Sequence, residues 1–447
     1  MGISFSISSF NPWKRKADGT GIETSENIKA KGAEFDGPVS IGTENLLQPP
    51  RFVAPVGYTD PTNYLRISFF DGNLGTEWTN LATGGTVSDD ATIYAKGSKG
   101  IRTANTGTAS DAKINKVPSP ALDLSTYDSI VLRFFVADTL AGAGSIFIQL
   151  GSSGSDYVRA SRAFDTALLD KPVRPGWNRI VLSKASDFGD VTGTMNWAAV
   201  NNIRVWTHNN EGATIAVTWD ELAAVKKSLS KGVIVFTFDD GNISDFTKAK
   251  PALDKYGYRA TSYIIGAWIE APNYLSASQI QSLYHECGWD IGSHTYNHVN
   301  LTTLTTDQVE DELRRNIYTL KNLGVKNVSS IAYPFGGYSP TVVDIVKKYH
   351  SAGRTVVSGY EVFPFGNPYA LRQVQLTTGI SLVTAKTYID RAKANCEVVI
   401  YLAHKIVDSG AAGGEWTTSD FTALVNYAAS EGLEVLSLAE LEWKYGR

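Results

Sequence analysis

The chain has 447 residues, 43% of them hydrophobic, and a net charge of −4. That length suggests two or three domains with sizeable apolar cores. The charges are interspersed, with no basic stripe or tail, which argues against a nucleic-acid partner. No stretch is long and apolar enough to span a bilayer, so membrane insertion is not expected.

Residues 1–63 are polar and broken by Gly and Pro, Gln48-Pro49-Pro50 among them, and read as an extended arm or linker. The first residues lack a basic start followed by a continuous apolar core, so no signal peptide is expected. Met1-Gly2 with Ser6 matches a myristoylation pattern that is too short and common to carry weight. From 64 to 227, short strand-like runs alternate with turn clusters: Ser129 to Val136, Ser145 to Leu150, Asn178 to Leu182, Ile203 to Trp206. Helical periodicity is nearly absent, and the spacing predicts an all-β sandwich. The run from Phe69-Phe70-Asp71-Gly72 to Trp78, the Pro175-Gly176-Trp177 turn and the closing Val217-Thr218-Trp219-Asp220 resemble the jelly-roll sandwiches of carbohydrate-binding modules. That resemblance implies a structural Ca²⁺ at Asp71 and Asp220. Trp78, Trp177, Trp206 and Trp219 could make a sugar-binding platform, although sandwich core is the more ordinary place for each.

Residues 226–231 form a polar linker, which predicts that the two halves fold separately. Over 228–447 the pattern changes to strands alternating with helices. Ser276 to Gln279 and Thr305 to Gln308 fit capping boxes. Ser339-Pro340 fits a helix start and Gly324 a helix stop. Strand-like runs fall near 259–265, 289–292, 328–333, 354–357, 371–376 and 397–402. Repeated βα units imply a parallel sheet or barrel with its chemistry at the C-terminal strand ends. The two cysteines, Cys287 and Cys396, lie in apolar contexts and read as buried thiols more than as a bridge.

The chemistry-bearing residues sit at those ends. Thr237-Phe238-Asp239-Asp240-Gly241 closes the apolar run 232–236, and adjacent carboxylates there are costly without a partner. His294 and His298, two of only six histidines, stand at i and i+4 in a polar segment and can share one metal. Leu402-Ala403-His404 ends the run 398–401. Taken with Tyr333-Pro334-Phe335-Gly336, these segments resemble the ordered motifs of the NodB-type polysaccharide deacetylases (carbohydrate esterase family 4), over roughly residues 228–447.

The family's fold is an irregular (β/α) barrel with fewer than eight strands, so the chain reads as α/β behind an all-β sandwich. The resemblance implies Asp240, His294 and His298 as metal ligands. Two nitrogens and one oxygen suit Zn²⁺, with Co²⁺ or Ni²⁺ as alternatives. It also implies Asp239 as general base, His404 as general acid, the Phe335 N–H as oxyanion donor and Leu402 as lining for the acetyl methyl. Many members orient the base with an Arg two residues before the proline, where this chain has Ala332; a poly-N-acetylglucosamine branch shares that form. Arg372, at a later strand start, is the candidate replacement. The family's aromatic-and-Asp motif that orients the acid histidine has no match here. The resemblance implies metal-dependent removal of N-acetyl groups from an N-acetylhexosamine-containing polysaccharide outside the cell, with an O-acetyl esterase or a non-catalytic, glycan-binding tail or adhesion component as alternatives. A polar arm, no signal and a glycan-directed domain also fit a phage tail component, with homo-oligomer or virion attachment through the arm.

Overall fold

The computed structural model describes residues 64–445, apart from 72–73, 96, 106, 108–109, 138–142, 166–172, 174, 211, 213–214, 227–228 and 364. It also describes Trp13–Arg15 and Ile22–Thr24, which pair as antiparallel strands. The rest of the expected arm lies outside the described residues, and with it the oligomer and virion contacts assigned to it.

Residues 64–225 make two antiparallel sheets. One runs, in spatial order, Asp190–Thr192, Tyr157–Asp165, Ala143–Gly151, Asn202–Asn209, Ser110–Lys116, Thr79–Asn80. The other runs Gly176–Ser183, Ser129–Val136, Ile215–Val225, Gly100–Asn105, Gly85–Asp90, with Tyr64–Ser68 paired to the end of Ile215–Val225. Alternation along the strands builds the core. Ile130, Leu132, Phe134 and Val136 of one sheet share a cluster with Ile146, Ile148 and Leu150 of the other.

The second half is a closed parallel barrel. Its strands are β1 (Val233–Phe238), β2 (Thr261–Ile264), β3 (Asp290–Ser293), β4 (Ser330–Ala332), β5 (Ala352–Ser358), β6 (Leu371–Leu376) and β7 (Val398–Ala403). They pair in that order, and β1 closes the ring by pairing with both β7 and β2. A short β8 (Glu434–Val435) pairs with the start of β1, while the end of β1 pairs with β2. Around the strands lie α1 (Lys250–Asp254), α2 (Ala277–Gln281), α3 (Thr306–Asn322), α4 (Pro340–Val346), α5 (Leu382–Asn395), α6 (Thr418–Glu431) and α7 (Leu438–Tyr445). Both capping boxes form, and Ser339 caps α4 with Pro340 at its first position. Gly324 follows α3 at φ 89°, a left-handed turn that stops the helix. Cys287 and Cys396 are free, half-buried thiols.

Every β-to-β crossover in the barrel carries a helix except that from β5 to β6, where none of the described residues of 359–370 is helical. The sandwich covers that wall. Val362 from the crossover packs in one cluster with Val131, Val181, Ala223 and Val225 of the sandwich. A Cβ on Gly366 would stand 2.9 Å from the Arg179 carbonyl oxygen, so the backbones touch. Strand Ile215–Val225 is buried along its whole length, with Ala223 and Val225 under this contact and Ile215, Val217, Trp219, Leu222 and Ala224 in the sandwich core. The polar linker at 226–231 thus joins two bodies that share apolar surface, and separate folding does not follow from its composition. Val362→Asp in the intact chain should cost roughly 2–4 kcal/mol, through lost burial and an unpaired carboxylate. Thermal or urea unfolding followed by circular dichroism checks this; an unchanged midpoint would mean the contact is incidental.

Beneath the barrel, Asp290 at the start of β3 is buried, and Glu442 on α7 is half-buried with its Oε1 enclosed. Burial pushes Asp290 up to about 7, and burial together with the Asp290 carboxylate pushes Glu442 up to about 8. Each is therefore held neutral in the fold but ionises at ordinary carboxylate pH when unfolded. Their contribution is fullest in acid and is lost as pH rises from about 4 through 7 to 8. Glu442→Gln should accordingly gain stability relative to wild type between pH 5 and 8, by on the order of 1 kcal/mol per pH unit. Parallel urea titrations across that range test it, and a pH-independent difference would contradict it.

Candidate metal centre at the barrel mouth

Alternation decides which side chains reach the barrel's interior. Along β1, Val233 and Val235 line it with Val398 and Ile400 of β7 and Ala352 of β5. Counting on by twos brings Thr237 and Asp239, Leu402, and Arg354 to the same inner face. Asp239 and His404 stand at neighbouring strand ends. The Asp239 N–H donates to the Ala403 carbonyl at 2.9 Å, and Asn242 Nδ2 donates to the carbonyls of Asp239 (3.2 Å) and His404 (2.9 Å).

Arg354 is 1% exposed, and its Nη2 donates to both Asp239 oxygens at 2.5 Å. Arg372 does not do this. It follows the inward Leu371, so it faces out of the barrel, and its Nε donates to Glu361 Oε1 at 3.0 Å against the sandwich. The expected Arg372–Asp239 contact is therefore replaced by Arg354–Asp239. The signal was present: Arg354 is a lone charge in an apolar strand run, two residues on from an inward alanine.

Asp240 Oδ1 lies 3.5 Å from both His294 Nε2 and His298 Nε2. Ligands about 2.0–2.1 Å from a tetrahedral ion are about 3.3 Å apart, so each Asp240–His pair stands near ligand spacing, and the three ligand atoms all lie within 4.8 Å of one another. Asp240 Oδ1 is buried and has no hydrogen-bond partner, which is what a metal-ligating oxygen would look like. His294 Nδ1 is 2.8 Å from the Ala332 carbonyl, which makes it the donor and leaves Nε2 as a lone-pair ligand. His298 is packed between Phe335 (4.6 Å) and Trp268 (5.3 Å). Burial, with the nearby His294, lowers His298 to about 4, so it is neutral and able to coordinate. Burial also opposes a charge on His294, but Asp239 and Asp240 outweigh it and raise its pKa. For Asp240 burial is likewise outweighed, by His294 first and then by His404 and His298, and its pKa falls. So much negative charge favours a cation at the centre.

The backbone is strained where it bends into the site. Asp240 (φ 73°), Thr295 (63°), His298 (56°) and Phe335 (58°) are all left-handed without being glycine. Such positions cost of order 1–3 kcal/mol each and persist only when the surroundings hold them. His404 Nδ1 is buried without a hydrogen-bond partner, so no orienting group for it is found among the described residues.

The sandwich candidates are dispersed. Trp78 and Trp219 are core residues. Trp206 stacks on Phe147 on the outer face, with Lys113 and Arg159 over it, and Trp177 is 43% exposed. Asp220 is buried, accepts the Ala95 N–H at 2.6 Å and has Arg133 3.9 Å away. Asp71 packs against Gly97. Neither belongs to a cluster of three metal-ligating side chains among the described residues, where Asp240, His294 and His298 form such a cluster.

The polysaccharide deacetylase family profile matches residues 226–353, which run from the linker to the start of β5. YxkH of Bacillus subtilis, assigned to the polysaccharide deacetylases, is 30% identical over 190 residues, 42% of this chain and 67% of YxkH. The poly-beta-1,6-N-acetyl-D-glucosamine N-deacetylase of Staphylococcus epidermidis is 25% identical over 136 residues, 28% of this chain and 47% of that enzyme. Among solved structures, a family 4 acetyl xylan esterase from Clostridium thermocellum with a cobalt ion is 18% identical, covers 47% of this chain and 91% of its own, and has a TM-score of 0.36. The NodB-type motifs and these sequence matches agree, and the chain belongs to the polysaccharide deacetylase family.

Proposed function

We propose that this chain removes N-acetyl groups from an extracellular N-acetylglucosamine polymer, with a divalent metal, Zn²⁺ foremost, held by Asp240, His294 and His298. The observation that carries this reading is Asp240 Oδ1 poised between two histidine Nε2 atoms, beside an aspartate fixed by a buried arginine. The N-acetylglucosamine polymer is suggested by the staphylococcal relative and by the Ala332-Tyr333-Pro334-Phe335-Gly336 form.

A cation bound there would acidify a coordinated water and polarise the acetyl carbonyl. The protein's own groups would do the rest. Asp239 takes the proton of the attacking water, and Arg354 keeps its carboxylate in one orientation. The Phe335 N–H donates to the oxygen that gains charge as the tetrahedral centre forms. Leu402, on the inner face, lies against the acetyl methyl. His404 gives its proton to the leaving nitrogen as the C–N bond breaks, so acetate and a free amine result.

Chelation should abolish acetate release from partially acetylated glucosamine oligomers, and Zn²⁺ or Co²⁺ should restore it. Full activity in rigorously metal-free protein would sink the reading. Running acetylated xylan alongside decides between amide and ester. Asp240→Ala should lose both metal and activity, whereas Asp239→Asn should keep the metal and lose about 10²–10⁴ in rate. If Asp239→Asn emptied the site instead, the two aspartates would have exchanged roles.

Arg354→Ala should lower kcat by about 10²-fold, the scale of a misplaced catalytic group, while metal content stays stoichiometric. Arg372→Ala should leave kcat on short oligomers near wild type, because Arg372 is bound to Glu361 on the barrel's outer face. The opposite pattern of losses would overturn the assignment of Arg354.

A further inference from the structure

The two histidines hang on a strained loop, and one helix grips that loop on both sides of His294. Glu312 of α3 is 7% exposed, and its carboxylate collects three donors from the loop. Tyr296 N–H (3.0 Å) and Asn297 N–H (2.8 Å) both donate to Oε2, and Asn297 Nδ2 donates to Oε1 at 2.5 Å. Successive N–H groups converging on one oxygen form an anion-binding concavity. One turn further along α3, Asn316 is fully buried, and its Nδ2 donates to the Ile264 carbonyl and to Ser293 Oγ, both at 2.9 Å. Ser293 Oγ in turn accepts the Thr295 N–H at 3.3 Å, and Thr295 Oγ1 accepts the His298 N–H at 3.0 Å.

We infer that Glu312 is a positioning residue for metal binding, with Asn316 as its partner. The inference rests on the proposed metal site. Thr295 and His298 sit at positive φ, and left alone they would relax to ordinary backbone conformations. Relaxation at either residue swings the His298 imidazole away from His294. Glu312 ties down the residues between them, Tyr296 and Asn297, so the two Nε2 atoms keep facing Asp240 whether or not a cation is present. Nothing in this role requires Glu312 to touch metal or substrate.

The test is Co²⁺ and Zn²⁺ binding to the full chain, with the visible Co²⁺ spectrum and the metal-free melting temperature recorded for wild type, E312A and E312Q. E312A should bind both ions about 10–100-fold more weakly, the usual cost of losing a support behind a ligand, and its Co²⁺ bands should change shape. E312Q should stay close to wild type. Its amide oxygen can accept both N–H groups, and its NH₂ can donate to Asn297 once that amide flips. Folded E312A with wild-type affinity and spectrum would overturn the inference, even if its melting temperature fell. Should E312A fail to fold, E312D, one methylene short of its three donors, answers by the same readout. Absence of Co²⁺ binding by wild type would contradict the metal reading itself, a separate outcome.

Discussion

A β-strand presents alternate side chains to opposite sides, and in a closed barrel one side is the dry interior. That constraint organises the centre. The lower interior is filled by Val233, Val235, Val398, Ile400 and Ala352. Further along each strand, at even steps, the same face reaches the mouth, and there it carries Leu402, Arg354 and, by way of Thr237, Asp239. A carboxylate at that depth is tolerable only with a partner, and a guanidinium meeting both its oxygens supplies one. The Arg354–Asp239 pair is therefore a consequence of the barrel as much as of the chemistry. The barrel offers an inward position on β5, and the arginine occupies it.

The same counting explains what was legible in the sequence and what was not. Asp239, Asp240, His294, His298 and His404 stood out because each closes or follows an apolar run and the histidines have ligand spacing. Their convergence needed only the general rule that such ends share one rim. The partner of Asp239 needed more. Arg372 and Arg354 both lie near the start of a strand-like run, and a one-residue difference in phase puts one outside and the other inside. Phase is fixed by packing: Leu371 and Ala352 are the inward residues. Those neighbours are visible in sequence, but which of two apolar faces looks inward is not, since a strand of a covered parallel barrel is apolar on both sides.

Glu312 and Asn316 were hidden for a related reason. The capping box at Thr305 announced α3, and Val309, Leu313, Ile317 and Leu320 mark its buried stripe. Two polar residues inside that stripe, at i and i+4, look like interruptions. In the fold they meet the backbone of the histidine loop, whose N–H groups β3 has already left unpaired by ending at Ser293. A strand that stops early creates donors, and the next helix supplies the acceptor. Helix caps could be read because their donors lie within three residues; this acceptor lies 15 residues from Asn297 and 16 from Tyr296.

The sandwich belongs to the same argument about unpaired surfaces. A parallel barrel needs cover around its whole circumference, ordinarily from the helix after each strand. Between β5 and β6 no described residue is helical, and the crossover brings Val362 and Gly366 against sandwich strands instead. Arg354 is carried by β5, the strand on one side of this gap, and Arg372 by β6, on the other. Arg372 sits where it does because the outer face of β6 looks onto the sandwich, and Glu361 of the crossover receives it there. The position that the sequence offered as a partner for Asp239 instead belongs to the outer wall of the barrel, where it meets Glu361 and the sandwich.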